Sequence, residues 1–377
     1  MNIYLYCIYK SFYFQFSKSS TLTNLSIIFS TSICLLCIII TLSVSDGFKA
    51  NIIKKIIEMD GIGHIYPYNR SFSIDDQLIK LFEDKGSEYL FYPYMQTYSI
   101  LKYNNISEGI NLVSLYKKDK FKKYIVEKFY DKEDGIYIGN KLADKLNISK
   151  KTNVLTVFVN ENKERYVKNL PIKGIYSTNI PSYDDYIVFS DYSLEDNKEI
   201  FNLNTINEYI VFSKNDNVKL LDSDEKYFFA SWKDRNYEFV NWLHSYDVPI
   251  KILLIFLILV ALINNLSMFN LDIINRRKEI ELFDSFGLSR KSILFLFLIK
   301  VFILTLLGII IANLVSFIFI KLQYQYNFIS IPPGIYFTNF LPVVYRIENY
   351  LYPSIVILLF SLSLPLIFMK YFKIVKK

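Results

Sequence analysis

Residues 293–320 read ILFLFLIKVFILTLLGIIIANLVSFIFI, an apolar run with a single charged residue, Lys300. An α-helix needs about 20 such residues to cross the roughly 30 Å hydrocarbon layer of a bilayer. Three further apolar blocks of comparable length lie at residues 22–44, 250–269 and 352–368. The sequence therefore predicts an α-helical membrane protein with four transmembrane helices.

The composition excludes two other classes of protein. The 377 residues are 52% hydrophobic and 17% aromatic, with a mean hydropathy of +0.23. Disordered chains are poor in these residue types. An ordinary soluble enzyme would spread its apolar residues at core periodicity, whereas this chain gathers them into blocks.

Basic residues orient the predicted helices, because Lys and Arg accumulate on the cytoplasmic side of a membrane. They cluster before helix one, between helices two and three, and after helix four. This pattern places both termini in the cytoplasm and the long polar region after helix one in the periplasm. The predicted organisation is a cytoplasmic interfacial segment at 1–20, transmembrane helix one at 21–46, a large mixed α/β periplasmic domain at 47–248, and a membrane region at 249–377 with helices at 250–269, 293–320 and 352–371.

The domain predicted between helices one and two is rich in β-strands. Runs of Val, Ile and aromatic residues bounded by turn residues predict strands at 154–159, 170–176, 186–189, 209–212 and 227–229. Apolar spacing predicts helices at 75–85 and 141–146. Residues 46–58 and 231–243 are predicted to extend helices one and two outward as rigid connectors.

The sequence contains no motif for the common enzyme classes. It has no phosphate-binding P-loop, no His-Glu-x-x-His and no Gly-x-Ser-x-Gly elbow. Its two histidines, His64 and His244, are far apart and have no neighbouring cysteines, so no metal site is predicted. Lys300 lies about two turns inside helix three, where we expect it to extend its ammonium group to the cytoplasmic interface.

The loop at 275–292 combines charged ends with an apolar helical face formed by Ile280 and Phe283, with Phe286 as a further candidate for the same face. Gly287 is suited to end a short helix in the left-handed conformation, and Ser289 is suited to cap the next one. Such a helix is suited to dock in a partner's groove. The alternative is a charged linker that serves only topology.

Several segments together resemble a known family along nearly the whole chain. They include SVSDGF at 43–48, RKEIELFDSFG at 277–287 and IPPGIYFTNFLP at 331–342. In order and spacing they resemble the transmembrane subunit of lipoprotein-releasing ABC transporters, of the Lol C/E type, within the FtsX/MacB-like permease superfamily.

The resemblance implies a non-catalytic permease in the bacterial inner membrane, with no cofactor of its own and no nucleic-acid partner. ATP would be bound by a separate ABC ATPase, and a second permease subunit would complete a homo- or heterodimer. Segment 275–292 would be the coupling segment that contacts the ATPase. The residues implied for this contact are Glu279, Ile280, Phe283, Gly287, Leu288 and Arg290.

The implied activity is the extraction of lipoproteins from the inner membrane for transfer to a periplasmic carrier and the outer membrane. Phe48, Ile52, Phe239 and Trp242, on the helix extensions, are predicted to contact cargo or its lipid. The link at 160–169 is shorter than the hook of carrier-recruiting subunits, so recruitment of a carrier does not follow from the resemblance. The alternatives are an FtsX-like mechanotransmitter that activates cell-wall hydrolases and an efflux-type ABC permease.

Overall fold

The computed structural model describes residues 18–68, 89–115, 121–129, 134–148, 152–159, 165–201, 208–213, 227–287, 289–332 and 338–372. The chain forms two compact units. The α/β unit contains residues 51–241 and 331–339, and the membrane unit contains residues 1–50, 242–330 and 340–377. Most of the predicted interfacial segment, the predicted helix at 75–85 and Leu288 lie outside the described residues.

The described helices include four long ones that match the four apolar blocks. In chain order the helices are α1 (Lys18–Asp60), α2 (Asn140–Leu146), α3 (Pro181–Asp184), α4 (Leu194–Phe201), α5 (Trp232–Arg235), α6 (Tyr237–Ser245), α7 (Asp247–Asn275), α8 (Arg277–Ser285), α9 (Arg290–Tyr326) and α10 (Glu348–Phe372).

The described strands all belong to the α/β unit. They are β1 (Gly63–Pro67), β2 (Tyr89–Tyr94), β3 (Gln96–Tyr103), β4 (Ile106–Ser114), β5 (Ile125–Lys128), β6 (Ile136–Gly139), β7 (Asn153–Val159), β8 (Arg165–Tyr176), β9 (Ile187–Ser190), β10 (Glu208–Ser213) and β11 (Tyr227–Ser231).

These strands form two sheets. The smaller is antiparallel, with the order β11-β1-β10-β2. The larger has the order β5-β8-β6-β9-β4-β3-β7, and an additional pairing of β7 with β8 closes six of its strands into a ring. The long strand β8 makes this closure possible, because Arg165–Pro171 pair with β7 whereas its later residues pair with β5 and β6.

Burial along the strands explains the residue pattern. In β3, Ser99 and Leu101 are buried while Tyr98, Ile100 and Lys102 are exposed, as expected for alternating side chains. The buried faces of both sheets and of α2 contribute to one apolar core. Members of that core include Ile65, Leu101, Leu112, Ile138, Leu142, Val154, Ile172, Val188 and Val211.

In the membrane unit, α1, α9 and α10 share an apolar core that includes Leu35, Ile39, Ala312 and Ile357. Helices α1 and α9 are in close contact at Gly308. A Cβ atom there would lie 2.0 Å from Thr31 Oγ1, so only glycine fits. Ser32 Oγ, one residue along, donates a hydrogen bond of 2.9 Å to the Gly308 carbonyl.

Within the described residues, three helices are long and apolar enough to cross a membrane: Leu22–Asp60, Tyr237–Asn275 and Phe297–Tyr326. The chain is therefore a membrane protein. Helix α10 covers the fourth predicted span, but its crossing of the membrane stays a prediction, as do the predicted domain bounds.

Most predicted elements are confirmed as helix or strand, often with longer bounds. Residues 46–58 continue helix one as part of α1. The predicted helix at 231–243 is correct only in part, because the chain breaks at Asn236 and again at Tyr246 before α7 begins. Pro249 in the first turn of α7 explains the second break, since it has no N–H to donate to the Ser245 carbonyl.

Candidate functional site

The predicted coupling segment folds as a short helix between two long ones. Helix α8 (Arg277–Ser285) follows α7 after one turn residue, Arg276. Gly287 has a φ of 80°, the left-handed conformation expected where a helix ends. The Ser289 hydroxyl accepts a hydrogen bond from the Ser292 amide and caps α9, whose first residue is Arg290. The predicted turn chemistry is confirmed.

One face of α8 packs against its own chain. Ile280 and Phe283 are half-buried on an apolar cluster formed by α7 and α9. The buried members of the cluster are Phe269, Ile293, Phe297 and Val301. The two residues predicted as docking anchors therefore attach α8 to the membrane helices.

The opposite side of α8 carries different apolar residues. Leu282 is 57% exposed, and Phe286, just after the helix, is 79% exposed. The sequence prediction missed Leu282 because it followed the face shared by Ile280 and Phe283. Leu282 and Phe286, which we call the exposed apolar pair, are apolar side chains in the described part of this segment that are available to a partner.

An ionic network lies beside the apolar cluster and joins α7, α8 and α9. Asp272 Oδ2 is 2.7 Å from Lys300 Nζ, and Asp272 Oδ1 is 3.2 Å from Arg276 Nε. Arg276 Nη1 in turn lies 3.4 Å from Glu279 Oε2. We call these four residues the inner relay. The expectation that Lys300 extends to the interface is wrong, because its side chain is buried and bound to Asp272.

At the other end of the membrane unit, two of the quoted sequence segments contact each other. A Cβ atom on Gly47 would lie 2.4 Å from the Pro342 carbonyl oxygen, so the chains pass here at backbone distance. Asp46 Oδ2 accepts a hydrogen bond of 2.9 Å from Asn349 Nδ2 and lies 3.5 Å from Arg346 Nη1. The segments at 43–48 and 331–342 thus contribute to one packed junction between α1 and the start of α10.

The predicted cargo contacts do not share one environment. In the membrane unit, Phe48 is half-buried, and Trp242 is 39% exposed and packs edge-on against Tyr246 at 5.2 Å. In the α/β unit, Phe239 is half-buried, whereas Ile52 is 2% exposed and packs inside its own chain. In this conformation Ile52 has no surface to offer to cargo.

A cluster of four ionisable residues lies in the α/β unit, and no sequence motif predicts it. His64 Nε2 lies 3.0 Å from Asp60 Oδ1, at the end of α1, and His64 Nδ1 lies 2.9 Å from Glu208 Oε2 on β10. Arg235 Nε is 3.1 Å from Asp60 Oδ2. The Arg235 guanidinium also donates to the Tyr66 hydroxyl. We call Asp60, His64, Glu208 and Arg235 the histidine cluster.

Geometry assigns the charge of the histidine. A neutral imidazole has one N–H, so only the protonated ring can donate to both carboxylates. Burial opposes this charge, but the hydrogen bonds with Asp60 and Glu208 outweigh burial and raise the pKa of His64 above its usual value. With His64 and Arg235 positive, the charges of the cluster sum to zero.

Comparison with known proteins assigns the C-terminal region. Residues 251–374 match the family described as FtsX-like permease C-terminal, and this range contains α8, α9 and nearly all of α7 and α10. This region is an FtsX-like permease domain. The chain is also similar to the lipoprotein-releasing system transmembrane protein LolC of Buchnera aphidicola subsp. Schizaphis graminum (strain Sg). The two are 22% identical over 324 residues, which cover 80% of this chain and 78% of that protein.

These matches confirm the resemblance to FtsX/MacB-like permeases of the Lol C/E type. The FtsX-like permease domain is typical of non-catalytic subunits of ABC transporters. A permease of this type implies an ABC ATPase and a further permease subunit as partners. The inner relay and the exposed apolar pair both lie inside the matched range.

Proposed function

We propose that this chain is the permease subunit of an ATP-driven complex that extracts lipoproteins from the inner membrane and passes them toward a periplasmic carrier. The likeness to LolC supports the choice of cargo. The energetic demand fits an ATP-driven machine, because each acyl CH₂ withdrawn from the bilayer costs about 0.8 kcal/mol. The observation that carries the proposal is helix α8, which is fixed to α7 and α9 on one face and exposes Leu282 and, beyond its end, Phe286.

In this proposal the exposed apolar pair enters a groove on the ATPase. Apolar anchors at the centre of an interface supply most of the affinity, and charges at its rim set register. Arg277, Lys278 and Glu281 are exposed on α8 and suit the rim. Glu279 and the Gly287 turn orient the helix, while Ile280 and Phe283 hold it to the membrane domain.

Substitution of the exposed apolar pair tests the ATPase contact. Leu282→Asp combined with Phe286→Asp should abolish copurification with the partner ABC ATPase, because each change places an unpaired charge in the contact. Insertion and α8 itself should survive, since neither side chain packs inside the chain. The matched control is Tyr98→Asp with Val167→Asp, which places the same two charges on equally exposed apolar residues of the α/β unit and should retain the complex. Normal copurification of the Asp double variant would reject the proposal.

The topology of the proposal has four spans, with both termini in the cytoplasm and the α/β unit in the periplasm. Single cysteines at Ser107 and Ser285, both exposed, test it in a chain whose three native cysteines are replaced by alanine. In intact spheroplasts a membrane-impermeant maleimide should label position 107 and spare position 285. Labelling of position 285 alone would reverse the assignment, and labelling of both would contradict the span count.

A further inference from the structure

The inner relay is built around one carboxylate that serves two helices. Asp272, near the end of α7, directs Oδ2 to Lys300 on α9 and Oδ1 to Arg276 at the junction with α8. Arg276 continues the chain of contacts to Glu279 within α8. Three helices are therefore joined through a single side chain, at the place where α8 meets the membrane domain.

Three of the four relay residues are buried and Glu279 is partly exposed, and their charges balance only as a set. Asp272, Arg276 and Lys300 are each about 5% exposed, and the apolar cluster of Phe269, Ile293 and Phe297 lies on the same helices. A charge in such a place needs a partner, since no water is available to replace it. The two acids and two bases of the relay supply each other with oppositely charged partners. Removal of Asp272 would leave the positive charges of Lys300 and Arg276 close together without the carboxylate that pairs with both.

Apolar packing also attaches α8, through Ile280 and Phe283. A buried ion network is seldom more stable than an apolar replacement of the same shape, but it accepts only one geometry. Ile280 and Phe283 could slide over the apolar cluster with little loss of contact, whereas the Asp272 carboxylate cannot keep both cations if α8 or α9 shifts. The relay therefore fixes the position of α8 relative to α7 and α9.

We propose that Asp272, Arg276 and Lys300 are positioning residues that make α8 move as one body with the inner ends of α7 and α9, so that a displacement of α8 reaches both membrane helices. This inference rests on the proposed function, in which α8 is displaced by the ATPase. The relay would transmit the movement, while the exposed apolar pair would receive it.

The first experiment follows the attachment of α8 in the full chain, without any partner. The chain is placed in nanodiscs of phosphatidylethanolamine and phosphatidylglycerol, and amide hydrogen exchange is measured for residues 277–285. Asp272→Asn should accelerate exchange there at least tenfold, and Lys300→Met about threefold, because Asp272 then keeps Arg276. Lys300→Arg should stay within twofold of the unmodified chain.

Asp247→Asn is the matched control, because Asp247 also lies on α7 and pairs with Lys49 at the opposite end of that helix. It should leave exchange at 277–285 unchanged. If Asp272→Asn also leaves this segment unchanged, or if Asp247→Asn accelerates it equally, the relay does not position α8 and the inference is overturned.

The second experiment separates transmission from binding. With the exposed apolar pair intact, the Lys300→Met chain should still copurify with the ABC ATPase, but permease-dependent ATP turnover and lipoprotein release should fall at least tenfold. Lys300→Arg should restore both. Full turnover and release by Lys300→Met would overturn the inference and leave the proposed function standing. If the unmodified chain binds no ATPase, the proposed function fails, whereas the exchange experiment still decides whether the relay positions α8.

Discussion

The histidine cluster and the inner relay solve the same physical problem in different ways. Each joins two acids and two bases, buried or partly buried, whose charges sum to zero. The relay is assembled mainly from neighbours on adjoining helices and contains no histidine. The cluster gathers residues from α1, β1, β10 and α5, and one of its cations is an imidazole. Charge balance in the α/β unit thus depends on the proton of an imidazole, whereas balance in the membrane unit does not.

The largest effect is expected from loss of a carboxylate in the histidine cluster. Glu208 is 3% exposed and accepts hydrogen bonds from His64 and Gln96, so Glu208→Ala leaves a buried excess of positive charge. We expect the α/β unit to lose about 3–5 kcal/mol of unfolding free energy. The measurement is a urea titration of the full chain in detergent, followed by Trp232 fluorescence.

Trp232 is buried beside the cluster at the start of α5, and Trp242→Phe would make it the sole reporter. Asp196→Ala is a suitable control, since Asp196 is a carboxylate of the same unit on the exposed surface, bound to Ser193. A loss below about 1 kcal/mol for Glu208→Ala would show that the cluster does not hold the α/β unit together.

The sequence predicted those parts of the fold that depend on local pattern. Apolar blocks predicted the long helices, and runs of Val, Ile and aromatic residues predicted five of the strands. Strands β1 to β6 were missed, including the hairpin of β3 and β4, although the Asn104 turn between these two strands, with a φ of 52°, is typical of a hairpin. Their polar outward residues weakened the strand pattern.

Side-chain clusters were predictable only where they are local. Asp272 and Arg276 are four residues apart on one helical face, so their pairing could have been read from the sequence. The partner of Asp272 on α9 requires knowledge of how α7 and α9 pack. His64 and Glu208 are 144 residues apart, and only the pairing of β1 with β10 brings them together. The face of α8 was misjudged for the same reason, because the packing of α8 decides which apolar residues remain exposed.

A smaller effect should appear when pH is varied. The pKa of His64 is raised in the folded protein, so its contribution to stability is complete below its unfolded pKa of about 6.5 and is lost as pH rises through the folded value. Each unit of pKa elevation corresponds to about 1.4 kcal/mol. The His64 ring is surrounded by Asp60, Glu208, Arg235, Tyr66 and Tyr94. The pKa values of both tyrosines are raised above 10, so their hydroxyls stay protonated at neutral pH.

We therefore expect the unfolding free energy of the α/β unit to decline as pH rises above about 6.5 and the decline to vanish in His64→Gln. His244→Gln, which changes the exposed histidine, should retain it. Amide exchange at 277–285, corrected for the intrinsic effect of pH, should stay level over the same range. A decline of equal size in His64→Gln would assign the pH dependence to other groups.

The smallest effect separates two adjacent arginines that a sequence pattern cannot distinguish. Arg276 is 6% exposed within the inner relay, whereas the side chain of Arg277 is 74% exposed and pairs with Glu281 at 3.3 Å. An exposed pair four residues apart on a helix contributes at most about 0.5 kcal/mol, and salt weakens it further. Arg277→Ala should therefore change exchange at 277–285 by less than threefold, and by still less in 0.5 M NaCl.

Arg276→Ala leaves Glu279 without its cation, and its effect on exchange at 277–285 should be several times larger than that of Arg277→Ala and independent of salt. Equal effects of the two substitutions would mean that burial does not distinguish the inner relay from the surface of α8, and the contrast between an anchored and an exposed face of this helix would fail.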